Sequence, residues 1–111
     1  MTTQDLLEKI DLKPLSKFQP REVNGVFISD MVSDVMANAK PGNLWLTIQT
    51  HKSIIPAANL VDASAIVITC GKEVPQDTVD LASKYDIPIL SSELPTFELV
   101  GKLYALGMGV K

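Results

Sequence analysis

From residue 23 onward the chain alternates short β-rich runs with stretches of helical period. Val26-Phe27-Ile28 reads as a strand, and the apolar residues Met31, Val32, Val35, Met36 and Ala39 that follow recur at the 3.6-residue period of a helix, with Asp30 placed to cap it and Pro41-Gly42 to stop it. The stretch Leu44-Trp45-Leu46-Thr47-Ile48-Gln49 has the period-2 signature of a strand: its even positions are apolar, and Trp45, Thr47 and Gln49 share the other face. Ser53 is placed to cap a helix through Ile54, Ile55, Ala57, Ala58, Leu60 and Val61. Pro56 is tolerated there because first-turn amides have no intrahelical acceptor. Ala65-Ile66-Val67-Ile68-Thr69 is apolar nearly throughout, as a strand buried on both faces should be. A helix is expected from about Gln76 to Tyr85 and a short strand at Ile87-Pro88-Ile89-Leu90, where the proline suits an edge or a strand's first residues. Thr96 then caps a last helix carrying Phe97, Leu99, Val100, Leu103, Tyr104 and Leu106, ended by Gly107.

The first 22 residues behave differently. Thr2 or Thr3 can cap a short helix with Leu6, Leu7 and Ile10, after which Pro14 and Pro20 interrupt any regular pattern. The expected organisation is therefore an N-terminal helix and connector over residues 1–22, then one α/β domain over 23–111. Its central sheet is mainly parallel, of about four strands flanked by helices, with a strand order that local pattern does not reveal.

Composition narrows the function. With 111 residues, a hydrophobic content of 46%, one cysteine, one histidine and a net charge of -3, the chain suits a single domain with a real core. One cysteine makes no internal disulfide, and one His with one Cys cannot complete a four-ligand Cys/His zinc site without a second chain, so neither a metal nor a cofactor is expected. A mildly acidic chain is a poor match for duplex nucleic acid, which is held by basic faces. The longest apolar stretches are too short to span a bilayer, and Met1-Thr2-Thr3-Gln4-Asp5 lacks the features of a signal peptide, so a reducing cytoplasm is the expected compartment.

Motif tests exclude more. Gly71-Lys72 is the one approach to a phosphate-binding P-loop, but Ile66 stands where its first glycine belongs and Glu73 where its hydroxyl belongs. Gly107 and Gly109 have neither a third glycine nor a following helix, which removes a dinucleotide fingerprint. Cys70 and His51 each follow a strand, so a thiolate–imidazole pair is conceivable, as is a carboxylate–histidine metal site from Asp30, Asp34 and His51. Against these stand blander duties: a lone cysteine as a small buried hydrophobe, Asp30 as a helix cap and Asp34 as a first-turn charge.

The polar cluster from Thr47 to Ser53 is more informative, because ligands of α/β sheets bind in crevices at the carboxyl ends of strands. His51 and Lys52 can supply counter-charge to an anion there. Helix capping by Thr and Ser, with Gln49 bonded to a neighbouring loop, is the competing account. In the last helix, Gly101 costs about 1 kcal/mol relative to Ala. Packing within one chain and a subunit interface explain it equally, and Trp45, Met108 and Val110 are available as apolar material for such an interface.

The segments Ser29-Asp30-Met31-Val32-Ser33-Asp34-Val35-Met36-Ala37, Trp45-Leu46-Thr47-Ile48-Gln49-Thr50-His51, and the run from Ile66-Val67-Ile68-Thr69-Cys70-Gly71 to Pro95-Thr96-Phe97-Glu98-Leu99 resemble the DRTGG-domain family, especially its short stand-alone bacterial members. The likeness extends from about Val23 to Gly107. The family's threonine and a glycine look matched by Thr69 and Gly71, with Cys70 where a glycine is usual, and Thr50-His51-Lys52 stands where larger members tend toward Gly-Asp-Arg. The resemblance implies an α/β accessory module related to the amino-terminal half of HPr kinase/phosphorylase, often dimeric, without the P-loop kinase domain. Some stand-alone relatives lie beside iron-only hydrogenase components. The resulting expectation is a non-catalytic, homodimeric regulatory or small-ligand module, for a nucleotide or anion, with a candidate pocket of Asp30, Ser33, Thr47, Gln49, Thr50, His51, Thr69 and Gly71. The alternatives are a small enzyme using Cys70 and His51 and a pocketless adaptor for a protein partner.

Overall fold

The computed structural model describes residues 1–108, so Gly109, Val110 and Lys111 lie outside the described residues. Ten elements follow in order: α1 (Thr3–Lys9), β1 (Lys13–Pro14), β2 (Gly25–Ile28), α2 (Val32–Asn38), β3 (Asn43–Thr47), α3 (Ile54–Val61), β4 (Ala65–Ile68), α4 (Gln76–Lys84), β5 (Ile89–Ser91) and α5 (Thr96–Ala105). They build one five-stranded sheet of order β1-β5-β4-β3-β2. The four expected strands are mutually parallel, and their order follows the chain from β2 to β5. The fifth, β1, comes from the stretch expected to be a connector and pairs antiparallel with β5, Lys13 opposite Ser91.

Alternation along the strands sorts the core into two layers, because neighbouring side chains point to opposite faces. Trp45, Ile66, Ile68 and Ile89 pack with Val35 of α2, Ile54, Ile55 and Ala58 of α3, and Ala82 of α4. Leu44, Leu46, Ala65, Val67 and Leu90 pack with Leu6 of α1 and Leu99 and Leu103 of α5. The three crossover helices thus cover one face, while the chain's first and last helices cover the other. Both faces being covered, β4 is buried at every position. Trp45 is fully buried in this core, and its indole N–H donates to the Ser29 carbonyl at 2.7 Å, so it is unavailable as interface material. Met108 is buried as well, held by its amide on the Leu103 carbonyl after the left-handed Gly107 (φ 90°). β3 ends at Thr47, which leaves Ile48 and Gln49 exposed beyond the strand.

Residues 11–22 are fastened along their length. The buried Ser16 hydroxyl donates to the Ile87 carbonyl at 2.7 Å and accepts the Ile89 amide at 2.8 Å. The Lys17 amide reaches Ser83 Oγ, the Gln19 amide reaches the Asp86 carboxylate, and Arg21 donates to the carbonyls of Ala63 and Asp86. Among the described residues, no helix is long and apolar enough to cross a membrane.

Candidate functional site

Because β2 to β5 are parallel, the loops after them share one edge of the sheet, the edge where α/β folds place ligands. β1 runs the other way, and its Lys13 therefore joins the same edge.

After β2, Asp30 does not cap α2. The N-cap position is Met31, with no side-chain cap, and the Asp30 carboxylate instead accepts the Thr47 hydroxyl at 2.9 Å and the Ile48 amide at 3.0 Å. Thr47 is buried and also accepts the Gln49 amide at 3.0 Å, so one carboxylate and one hydroxyl tie the ends of β2 and β3 together. Asp34, in the first turn of α2, is bonded by the Asn38 side-chain amide at 2.8 Å; this bond first, and that from Ser29 second, hold its carboxyl below the usual aspartate value. Ser33 is exposed beside it.

After β3 the expected cap also goes elsewhere. Ser53 adopts helical backbone angles and makes no side-chain cap; its amide donates to His51 Nδ1 at 3.1 Å. In the neutral imidazole this leaves the proton on Nε2. The Thr50 carbonyl accepts the hydroxyl of Thr78, from α4, at 2.8 Å. His51, Lys52 and Ser53 line a cleft of about 620 Å³ with Asp77, Asp80 and Lys84.

The loop after β4 turns through two successive left-handed residues, Cys70 (φ 64°) and Gly71 (φ 63°). Their amides donate to the carbonyls of Leu94 and Ser92, so this loop is clamped to the one after β5. A Cβ on Gly71 would displace only the flexible end of the Glu93 side chain, so it is the positive φ that calls for glycine there. Thr69 is buried, and its hydroxyl is 2.7 Å from that of Thr96, the first residue of α5, where the cap position itself is Pro95. Cys70 is exposed, contrary to the expectation of a buried thiol, and its Sγ lies 3.7 Å from Thr69 Oγ1 and 3.8 Å from Thr96 Oγ1. The Thr69 hydroxyl, then the Thr96 amide and hydroxyl, lower its thiol pKa.

The eight candidate residues thus occupy one edge without sharing one cavity. Asp30 and Thr47 are bonded to each other, His51 lines one cleft, and Gly71 lines another of about 670 Å³ with Lys13, Lys72 and Glu93. The metal constellation of Asp30, Asp34 and His51 does not assemble, and among the described residues no three His, Cys, Asp or Glu side chains converge as an ion would require. Nor does the thiol–imidazole pair form: the neighbours of Cys70 are threonines, and His51 is engaged by Ser53. Local pattern missed a further cleft of about 600 Å³, between α1, β1 and α5, lined by Lys9, Lys13 and Lys102 together with Asp11, Glu93, Ser91 and Ser92. The ion pairs among the described residues are the N-terminal amine with Glu22 and Arg21 with Asp62, so none of these lysines is engaged in one. The signal was out of reach locally, since three separate elements supply the lysines.

A doubly covered, mainly parallel sheet with polar loops gathered on its carboxyl edge defines a small layered α/β domain. The family model described as the DRTGG domain matches residues 7–106, and the chain belongs to that family. Its fold is that of a solved structure of the CBS and DRTGG domains of the regulatory region of Clostridium perfringens pyrophosphatase, complexed with the activator diadenosine tetraphosphate. The match has a TM-score of 0.70 at 13% identity and covers 91% of this chain and 45% of that one. The chain therefore spans less than half of that structure's length. No curated protein matches the sequence.

Proposed function

We propose that this chain is a non-catalytic regulatory domain that binds a small anionic ligand, a nucleotide or a phosphate-type anion, and acts as a homodimer in the cytoplasm. The observation that carries this reading is the sheet's carboxyl edge, where anchored polar loops adjoin one cleft bearing His51 and Lys52 and another bearing Gly71, Lys13 and Lys72 beside Glu73 and Glu93, but bring no base to the one thiol. The likeness to a regulatory region solved with a nucleotide activator supports the ligand class. Asp30, Ser33, Thr47, Gln49, Thr50, His51, Thr69 and Gly71 are the proposed site residues along this edge. Of these, Asp30, Thr47 and Thr69 hold the loops, and Gln49 and His51 are exposed to meet a ligand. The regulated system is proposed to be iron-only hydrogenase or carbon metabolism, on the strength of the family resemblance.

Thermal unfolding with adenosine nucleotides, diadenosine tetraphosphate and inorganic phosphate tests the reading. A ligand present at 100 times its Kd stabilises the folded state by about 2.7 kcal/mol, so at least one of these should raise Tm by several degrees. His51→Ala or Thr50→Val should remove the gain. No shift with any of them would leave a protein-binding adaptor as the better account. A second reading, a small enzyme using Cys70, is favoured only by the exposed and acidified thiol. It requires His51 or another base to reach Sγ, and an activity that survives Cys70→Ser would contradict it.

A further inference from the structure

We propose that the outer face of α5 is a self-association surface, on which a second copy of this chain packs antiparallel across Gly101. The proposal rests on the homodimer reading above and gives it a location. Leu99 and Leu103 turn into the core, so at 3.6 residues per turn the opposite line of the helix runs through Phe97, Gly101, Tyr104 and Ala105. That line should be the most polar part of a surface helix, yet it carries two aromatic and two small residues, with Phe97 87% and Tyr104 60% exposed. Among the described residues Gly101 packs against nothing, since a Cβ there would meet no atom within 4 Å. Packing against those residues, one of the two explanations open from the sequence, is thereby removed. A glycine inside an exposed helix becomes useful where another backbone approaches closely.

Charge selects the occupant. Glu98 and Lys102 flank this line one turn apart on the same side, both exposed, and among the described residues neither takes part in an ion pair. An antiparallel copy sets Glu98 against the partner's Lys102 and Lys102 against the partner's Glu98, while Phe97 packs toward the partner's Tyr104. A parallel two-fold would instead set this charged flank against the partner's Phe97–Tyr104 flank and leave both charges unpaired. One acid and one base per copy match this face to itself, whereas an anionic surface would call for a basic surplus. The arrangement is a closed two-fold, which ends at the dimer. Phe97 directly follows Thr96, whose hydroxyl holds Thr69, so pairing would reach the carboxyl-edge loops of both copies.

Sedimentation velocity on the full chain provides the test. The wild type should sediment as a two-chain species at micromolar concentration, and Phe97→Asp should sediment as one folded chain, with the wild-type circular-dichroism spectrum and a cooperative thermal transition. Glu98→Lys reverses an exposed charge and should weaken the dimer by about tenfold, with Glu98→Lys/Lys102→Glu restoring it. It decides the matter even if Phe97→Asp fails to fold. In a Cys70→Ser background, Gly101→Cys should cross-link under a mild oxidant, because the two-fold brings the two copies of this residue together. A dimer indifferent to Phe97→Asp, Glu98→Lys and Gly101→Cys oxidation overturns this surface while leaving the homodimer reading standing. A wild type that stays monomeric overturns both.

Discussion

Single hydroxyl groups do much of the joining in this domain. Ser16 Oγ bonds both the Ile87 carbonyl and the Ile89 amide in a buried setting, filling the place of a strand neighbour beside Pro88, which has no amide to offer. Ser16→Ala should destabilise the fold by about 2–3 kcal/mol, because it strands a buried donor and a buried acceptor; urea unfolding would measure it. Cys70 makes a different point. Donors from Thr69 and Thr96 favour its thiolate, so its alkylation rate should rise to half-maximum at a pH below the ordinary thiol value of 9.0. Thr96→Val should move that midpoint back up, as a pH series with iodoacetamide would show. The one deduction from sequence that placed this cysteine inside the core failed for a reason of position: a left-handed turn after β4 carries the residue out of the sheet just where the buried run ends.

At the scale of elements, regular patterns were legible and their termini were not. The apolar runs of β2 to β5 and the periods of α2 to α5 lie where local sequence places them, because burial against a doubly covered sheet imposes those patterns directly. Two expected caps, Asp30 and Thr96, proved to serve other groups, since tertiary partners at the carboxyl edge compete for the same side chains, and Ser53 holds the cap position with helical backbone angles and no side-chain cap bond. α1 is the contrasting case. Thr2 accepts the Asp5 amide at 3.1 Å, and the Asp5 carboxylate accepts the Thr2 amide at 2.9 Å, a full capping box. Thr2→Ala should cost about 1 kcal/mol. The Asp5 pKa lies below its ordinary value of 3.8, chiefly through that bond from the Thr2 amide, so the carboxylate's contribution is complete above this value and is lost as the pH falls through the depressed one. Acid titration of wild type against Asp5→Asn should therefore converge only at strongly acidic pH.

For the whole molecule, local reading found the α/β class and the edge that bears the candidate residues, since both follow from the order of strands and loops. It missed β1 and the lysine-lined cleft, because a two-residue strand has no period and Lys9, Lys13 and Lys102 meet only after distant parts of the chain have packed. The Ser16 bonds join residues 71 and 73 positions apart, near the two ends of the chain. Contacts of such separation cost the most chain entropy to form, so they should be made late, after β2 to β5 have assembled. The first twenty or so residues are then a closing strap and not a nucleus, and loosening them at Ser16 should quicken unfolding while leaving the rate of folding nearly unchanged.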